Sequence, residues 1–254
     1  MNITGRTILI TGGSAGIGLA FATKFIELGN DVIITGRNRE RLDAAQAALP
    51  GVKTIQSDAG NPDDIQNLAE TIARDHPKLD VLMNNAGIFV YRNLATGNSD
   101  LLELTRELDV NVAGPIRTIS ALIATLKANN GTIINVSSGL AFVPLQAAPI
   151  YSATKAAIHS YTTVLRQQLA GQVEVIELMP PVVKTEMTLD FHGDDAFGAI
   201  TTEVLVASTI AGLRAGHEEI RPGISNRLHW MSRIAPGFIN GQLAKGSAGY
   251  VPSS

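Results

Sequence analysis

Short apolar runs recur along the chain, and most are followed by a longer stretch with helical spacing. Thr7 to Thr11 (TILIT) is β-branched and apolar and ends in glycines, after which Ala15 to Leu28 sets its apolar residues three and four apart. This pattern predicts strand, tight loop, helix. Val32 to Thr35 reads as a second buried strand, and Asn38 to Leu49 as a charged helix closed by Pro50-Gly51. Val52 to Gln56 supplies a third strand. The next helix starts at Asn61, with Pro62 in its first position and Asp63 and Asp64 beside its positive end. Leu79 to Met83 is a fourth strand. Ser99 to Lys127 is a long helical pattern interrupted at Gly114-Pro115, and Thr132 to Val136 (TIINV) is a fifth strand that runs into Ser137-Ser138. A helix carrying Tyr151 follows, then Val173 to Met179 as a sixth strand and Glu219-Ile220 as a weak seventh. Strands that alternate with helices of ten or more residues specify an α/β fold with a parallel sheet covered on both faces. Pro180 to Ala199, rich in Pro, Gly and Asp, is the one irregular region of any size and is expected to be mobile.

Composition narrows the picture. A chain of 254 residues that is 45% hydrophobic can bury a large core, and α/β folds of this length are commonly one domain, so a single domain over residues 1–254 is expected. The absence of cysteine excludes disulfides, thiolate metal sites and cysteine nucleophiles, and fits a reducing compartment. No run of 18 apolar residues occurs, and the apolar run in MNITGRTILITGG is too short for a signal peptide. A soluble, cytoplasmic protein is the expectation. The net charge of -3 gives no electrostatic footprint for nucleic acid or an anionic membrane, so the ligand should be a small molecule.

Two stretches carry chemistry. Thr11-Gly12-Gly13-Ser14-Ala15-Gly16-Ile17-Gly18 falls between the first strand and the first helix, where glycines let a ligand approach the backbone and a helix N-terminus offers free N–H groups to a pyrophosphate. Tyr151 and Lys155 are four residues apart, one helical turn, and so share a face. A phenol has an ordinary pKa of about 10, and a fixed cation beside it favours the phenolate. The pair therefore suits proton transfer near neutral pH. The histidines show no metal-ligand spacing, no metal is implied, and His159 reads as packed or exposed rather than catalytic.

The glycine spacing, NNAG at Asn84 to Gly87, Asn111, Ser138 thirteen residues before Tyr151, and Lys155 occur together and in order. In this set the chain resembles the short-chain dehydrogenase/reductase family in its single-domain form. The resemblance implies a doubly wound, Rossmann-like parallel sheet and hydride transfer between a nicotinamide dinucleotide and a carbonyl or secondary alcohol. It implies Tyr151 as proton donor and acceptor, Lys155 as its activator and the holder of the nicotinamide ribose, Ser138 as the group positioning the substrate oxygen, and Asn111 in a water relay. Cofactor contacts are implied for Gly12, Ser14, Gly16, Ile17, Gly18, Asn85, Ala86 and Gly87. Asp58 and Ala59 match the positions against adenine, and Val183 and Thr185 those near the carboxamide. Residues 181–199 match the mobile substrate loop.

At the end of the second strand an acidic residue would accept from the ribose 2′-hydroxyl of NAD, but Gly36 and Arg37 stand there instead. A guanidinium can hold a 2′-phosphate with two parallel bonds, which favours NADP (NADPH) and leaves NAD as the other dinucleotide the site could take. Ala15 lacks the basic residue of many NADP-using relatives. Pro181 replaces the family's usual glycine and removes a backbone donor. The family's substrate positions hold Phe89, Val90, Tyr91, Leu140, Phe142, Val143, Pro144, Ile150, Met187, Leu189 and Phe191, and this largely apolar set suits a hydrophobic carbonyl compound. The rival reading is an NADP-binding sensor or scaffold without turnover. Apolar residues on several faces of the helices bearing Asn111 and Tyr151 point to a homodimer or homotetramer.

Overall fold

Alternation in the first strand divides the interior into two layers. In a computed structural model that describes residues 2–94, 100–188 and 198–247, β1 (Thr7–Ile10) turns Ile8 and Ile10 to one side of the sheet and Leu9 to the other. β2 (Asp31–Gly36), β3 (Lys53–Gln56), β4 (Val81–Asn84), β5 (Thr132–Val136), β6 (Glu174–Leu178) and β7 (Glu219–Ile220) complete a sheet of order β3-β2-β1-β4-β5-β6-β7, parallel throughout. Ile8 and Ile10 pack with Phe21 and Phe25 of α1 (Gly16–Glu27) and with Leu205 and Ile210 of α7 (Thr202–Arg214). Leu9 packs with residues of α3 (Pro62–Asp75), α5 (Gly114–Ala128) and α6 (Pro149–Gln168). The sheet is thus covered on both faces. Strand order reverses between β1 and β4, and a crevice opens beyond their carboxyl ends.

Local chemistry sets the helix starts. Asn38 caps α2 (Arg39–Ala48) by accepting from Arg41 N, and Asn61 caps α3 by accepting from Asp63 N. Asp100 caps α4 (Leu101–Leu108) by accepting from Leu102 N. The sequence places a break at Gly114-Pro115, but the irregular turn lies just before it. Asp109–Ala113 forms a π-helical turn, with Gly114 N reaching back to Asp109 O, and Gly114 and Pro115 begin α5. The reason is local, since Pro115 has no N–H to give to the Asn111 carbonyl one turn earlier.

The C-terminal third adds helices that the strand pattern does not announce. Thr201 caps α7, and α8 (Ser225–Ile234) and α9 (Pro236–Ser247) follow β7. Leu228, Ile239 and Leu243 of these last two helices join Val143 and Leu145 in a separate cluster at the open end of the crevice. Part of the irregular region is ordered by pairing: Val183 bridges to Ile200, and Glu186–Thr188 makes a single 3₁₀ turn. Leu189 and Phe191 lie outside the described residues. Among those described, no helix is long and apolar enough to cross a membrane, and no cluster of three His, Asp or Glu residues could hold a metal ion.

Candidate active site

A cleft of about 500 Å³ runs along the carboxyl ends of β1, β4, β5 and β6. Its first wall is the loop after β1. Gly12 has φ +65°, and a side chain there would come within 2.9 Å of Ala86 Cα; Gly16 has φ +52°. Gly18 does not line the cleft. A Cβ on it would sit 2.3 Å from Gly12 O and 2.6 Å from Asn85 Nδ2, so this glycine lets α1 close under the loop. Asn85 holds the loop from the other side, with Nδ2 donating to Thr11 O and Gly12 O, while Thr11 Oγ1 accepts from Asn85 N and Ala86 N.

These groups fit a dinucleotide. The N-cap residue of α1, Ala15, has no side chain to accept from the first N–H groups, and no acidic residue stands in the first turn. An anionic pyrophosphate would meet free donors and the positive helix end. Ser14, Gly16, Ile17, Ala86, Gly87, Val183 and Thr185 all line the same cleft.

At the other end, α6 and the β5 terminus bring three side chains together. Tyr151 and Lys155 stand on one face of α6, with Nζ 5.4 Å from the ring centroid, and Ser138 follows β5. All three line the cleft. Lys155 is buried, and its Nζ donates to Val136 O at 3.0 Å. Burial lowers its pKa to about 8, against the opposing pull of the Glu177 carboxylate. The Ser138 hydroxyl accepts from Leu140 N at 3.1 Å, lies 3.5 Å from Pro180 O and also hydrogen-bonds the Tyr151 phenol.

The sequence alone predicts that Lys155 lowers the Tyr151 pKa, and without a ligand the balance is different. Burial, then the Glu107 carboxylate, pushes the phenol above its ordinary value, and the hydrogen bond with Ser138 pulls it down. Desolvation of the charged form outweighs the nearby cation here. Phe89 covers the phenol ring edge-on at 4.8 Å between centroids.

Asn111 lies behind this cleft rather than on it. It is almost wholly buried; Oδ1 accepts from Ile88 N at 2.9 Å, and Nδ2 donates to Ile88 O and to Thr154 Oγ1. The amide therefore ties the segment after β4 to α6, the backbone role open to any asparagine at a helix irregularity. Asp58 and Ala59 do not line the cleft either. Asp58 Oδ1 accepts from Gly60 N, and its own N–H donates to Asp64.

Arg37 is exposed and does not line the cleft, while Arg41, one turn into α2, does. Arg41 Nη2 donates to Glu186 Oε1 at 2.9 Å, across the mouth from the 3₁₀ turn. Sequence reasoning passed over Arg41 because it reads as one more charge on a solvated helix face. Of the expected substrate residues, Phe89, Leu140 and Met187 line the cleft, whereas Val90, Tyr91, Phe142, Val143, Pro144 and Ile150 do not. Val143 is core, and Phe142 packs between the rings of His159 and His229. Leu145, Ile224, Leu228 and Leu243 also line the cleft. These four are ordinary apolar residues with no motif around them, so only tertiary packing could reveal them.

Comparison with known proteins bears on the family and the fold. The family model described as short chain dehydrogenase matches residues 6–195. The chain is 40% identical over 225 residues to the uncharacterized oxidoreductase DltE of Bacillus subtilis (strain 168), covering 87% of this chain and 89% of that one. It is 31% identical over 195 residues to 11-beta-hydroxysteroid dehydrogenase 1A of Arabidopsis thaliana, covering 74% of this chain and 55% of that one. Among solved structures, a short chain dehydrogenase from Burkholderia cenocepacia J2315 in complex with NADP superposes with a TM-score of 0.84 at 27% identity, over 96% of this chain and 99% of that one. A short-chain dehydrogenase from Sphingobium yanoikuyae in complex with NADPH gives 0.77 at 25% identity, over 85% and 87%.

Proposed function

Since the chain belongs to the short chain dehydrogenase family, we propose that it is an NADP(H)-dependent oxidoreductase that interconverts a neutral, hydrophobic carbonyl compound and the corresponding secondary or primary alcohol. One observation carries this reading: Ser138, Tyr151 and Lys155 converge on the cleft whose far wall is the glycine loop before α1. The bound dinucleotide would supply or accept the hydride at the carbonyl carbon. Tyr151 gives its hydroxyl proton to the carbonyl oxygen in reduction and takes it back in oxidation. Ser138 donates to that oxygen and fixes its distance from the phenol. Lys155, held by Val136 O, stabilises the phenolate left behind.

The lining supports this substrate class. Arg41, Lys155 and Glu186 are the charged side chains on the cleft among the described residues. None stands among Phe89, Leu140, Leu145, Ile224, Leu228 and Leu243, so a substrate carboxylate or phosphate would find no counter-charge there. For the cofactor, Arg41 offers a guanidinium on the cleft wall near Ser14, which suits the phosphorylated form; the similar structures include ones solved with NADP, with NADPH and with NAD.

The test is a panel of aliphatic, aromatic and alicyclic ketones and aldehydes with NADPH and with NADH, followed at the nicotinamide absorbance. Turnover should be greatest with apolar carbonyls and NADPH. Tyr151→Phe should keep NADPH binding and lose turnover by about a thousandfold or more. Comparable turnover in that variant would overturn the assignment of the proton donor.

A further inference from the structure

Glu177 is 0% exposed in β6, between apolar neighbours, and the reaction outlined above makes no use of it. A carboxylate taken fully out of water costs several kcal/mol unless charge and hydrogen bonds offset it. Here they do. Its Oε1 accepts from Ser137 Oγ at 2.5 Å, and His159 Nδ1 lies 2.9 Å from Oε2 and 3.2 Å from Oε1. Ser137 directly precedes Ser138, and His159 stands one turn beyond Lys155 on α6. One carboxylate thus touches both elements that carry the reactive groups.

We infer that Glu177 is a positioning residue: it supplies the fixed negative charge that keeps Lys155 cationic inside the protein, and it pins Ser137 so that Ser138 holds its place on the cleft. The surrounding charges agree in sign. From α6, Lys155 feels the Glu177 charge and His159 contacts it; from the segment after β7, Arg221 feels it as well. Behind His159 stand His229 and Arg233 of α8, with the Phe142 ring packed against all three. Glu219 is ion-paired with Arg221 and Arg166. Lys155 Nζ donates to the carbonyl of Val136, whose neighbour Ser137 donates to Glu177, so two adjacent residues link the buried ammonium to the buried carboxylate.

The role in turnover rests on the Tyr151–Lys155 reading, but the charge claim can be measured without it. The Lys155 ammonium is titrated by the ¹³Cε shift in ligand-free, ¹³C-lysine-labelled protein, the signal being assigned by its loss in Lys155→Met. Glu177→Gln keeps the shape and the Ser137 acceptor but removes the charge, and the Lys155 midpoint should fall by about one pH unit. The high-pH limb of kcat/KM for reduction should move down with it. Glu177→Asp should lie between the two, and Ser137→Ala should lower kcat while leaving the Lys155 midpoint in place. A folded Glu177→Gln whose Lys155 midpoint stays within about 0.2 of the parent would overturn the inference. If Glu177→Gln does not fold, Glu177→Met, which fills the space without a charge, decides: an unmoved Lys155 midpoint there overturns the inference. An active Tyr151→Phe would instead remove the proton-donor reading and leave the Lys155 titration standing.

Discussion

Tyr151 feels a second buried ionisable group, the carboxyl of Glu107. Glu107 of α4 is 0% exposed; its Oε1 accepts from Val90 N at 3.2 Å, while Oε2 has no hydrogen-bond partner. Burial raises the Glu107 pKa, and once ionised its charge in turn raises that of Tyr151. The phenolate and this carboxylate therefore oppose each other. In the proposed mechanism Tyr151 accepts the alcohol proton in the oxidation direction, so the acidic limb of kcat/KM would report phenol ionisation. Glu107→Gln keeps an acceptor for Val90 N and removes the charge, so the phenol should ionise at lower pH. The limb should shift down by about half a pH unit or more, with activity below it raised. A limb that stays put would show that Glu107 is neutral throughout the working range, and one that moves up would refute the repulsion. None of this was legible in the sequence. Glu107 reads there as one more polar position on a helix, because burial is a property of the packed molecule.

At the scale of elements, α2 and the turn at Glu186–Thr188 meet across the cofactor end of the cleft through Arg41 and Glu186. Both side chains are more than half exposed, and exposed ion pairs contribute about 0–1 kcal/mol. A 2′-phosphate, able to take two charge-assisted bonds from one guanidinium, should displace the carboxylate readily. Arg41→Ala should then weaken NADPH about tenfold or more and NADH little, as read from nicotinamide fluorescence. Glu186→Gln should tighten NADPH a few-fold by freeing the arginine. If Arg37→Ala carries the whole NADPH preference and Arg41→Ala none, the strand-end residue is the phosphate ligand as the sequence suggests. What the sequence conveys at this scale follows from periodicity. Strands such as Thr132–Val136 and the glycine loop are visible because their patterns are local. Leu228 and Leu243 are not, since α8 and α9 are placed by a cluster shared with Val143 and Leu145, far away in sequence.

At the scale of the whole molecule, α4, α5 and α6 each leave apolar side chains exposed. Leu101 and Leu102 of α4 are 77% and 83% exposed, and Ile116 of α5 and Val164 of α6 are also exposed. On α6, Ala153, Ala156 and Ala157 are exposed too, with side chains too small to keep a second helix away. α4 and α6 also carry Glu107 and the Tyr151–Lys155 pair on their inner sides. Covering the outer sides would therefore brace the reactive groups from behind. A two-fold pairing of α4, α5 and α6 with the same helices of a second copy would cover them, since an isologous contact needs only one self-complementary patch. Stable contacts of this kind bury about 800 Å² per partner, within reach of three helices. Light scattering at micromolar concentration should then give the mass of a dimer or of a tetramer built from such dimers. Val164→Glu, which sets two carboxylates against each other across the axis, should reduce the mass and lower the thermal midpoint. A monomer mass for the parent protein would refute the pairing. An unchanged mass in Val164→Glu would move the contact to the other exposed apolar group, Trp230, Ile234 and Phe238 on α8 and α9.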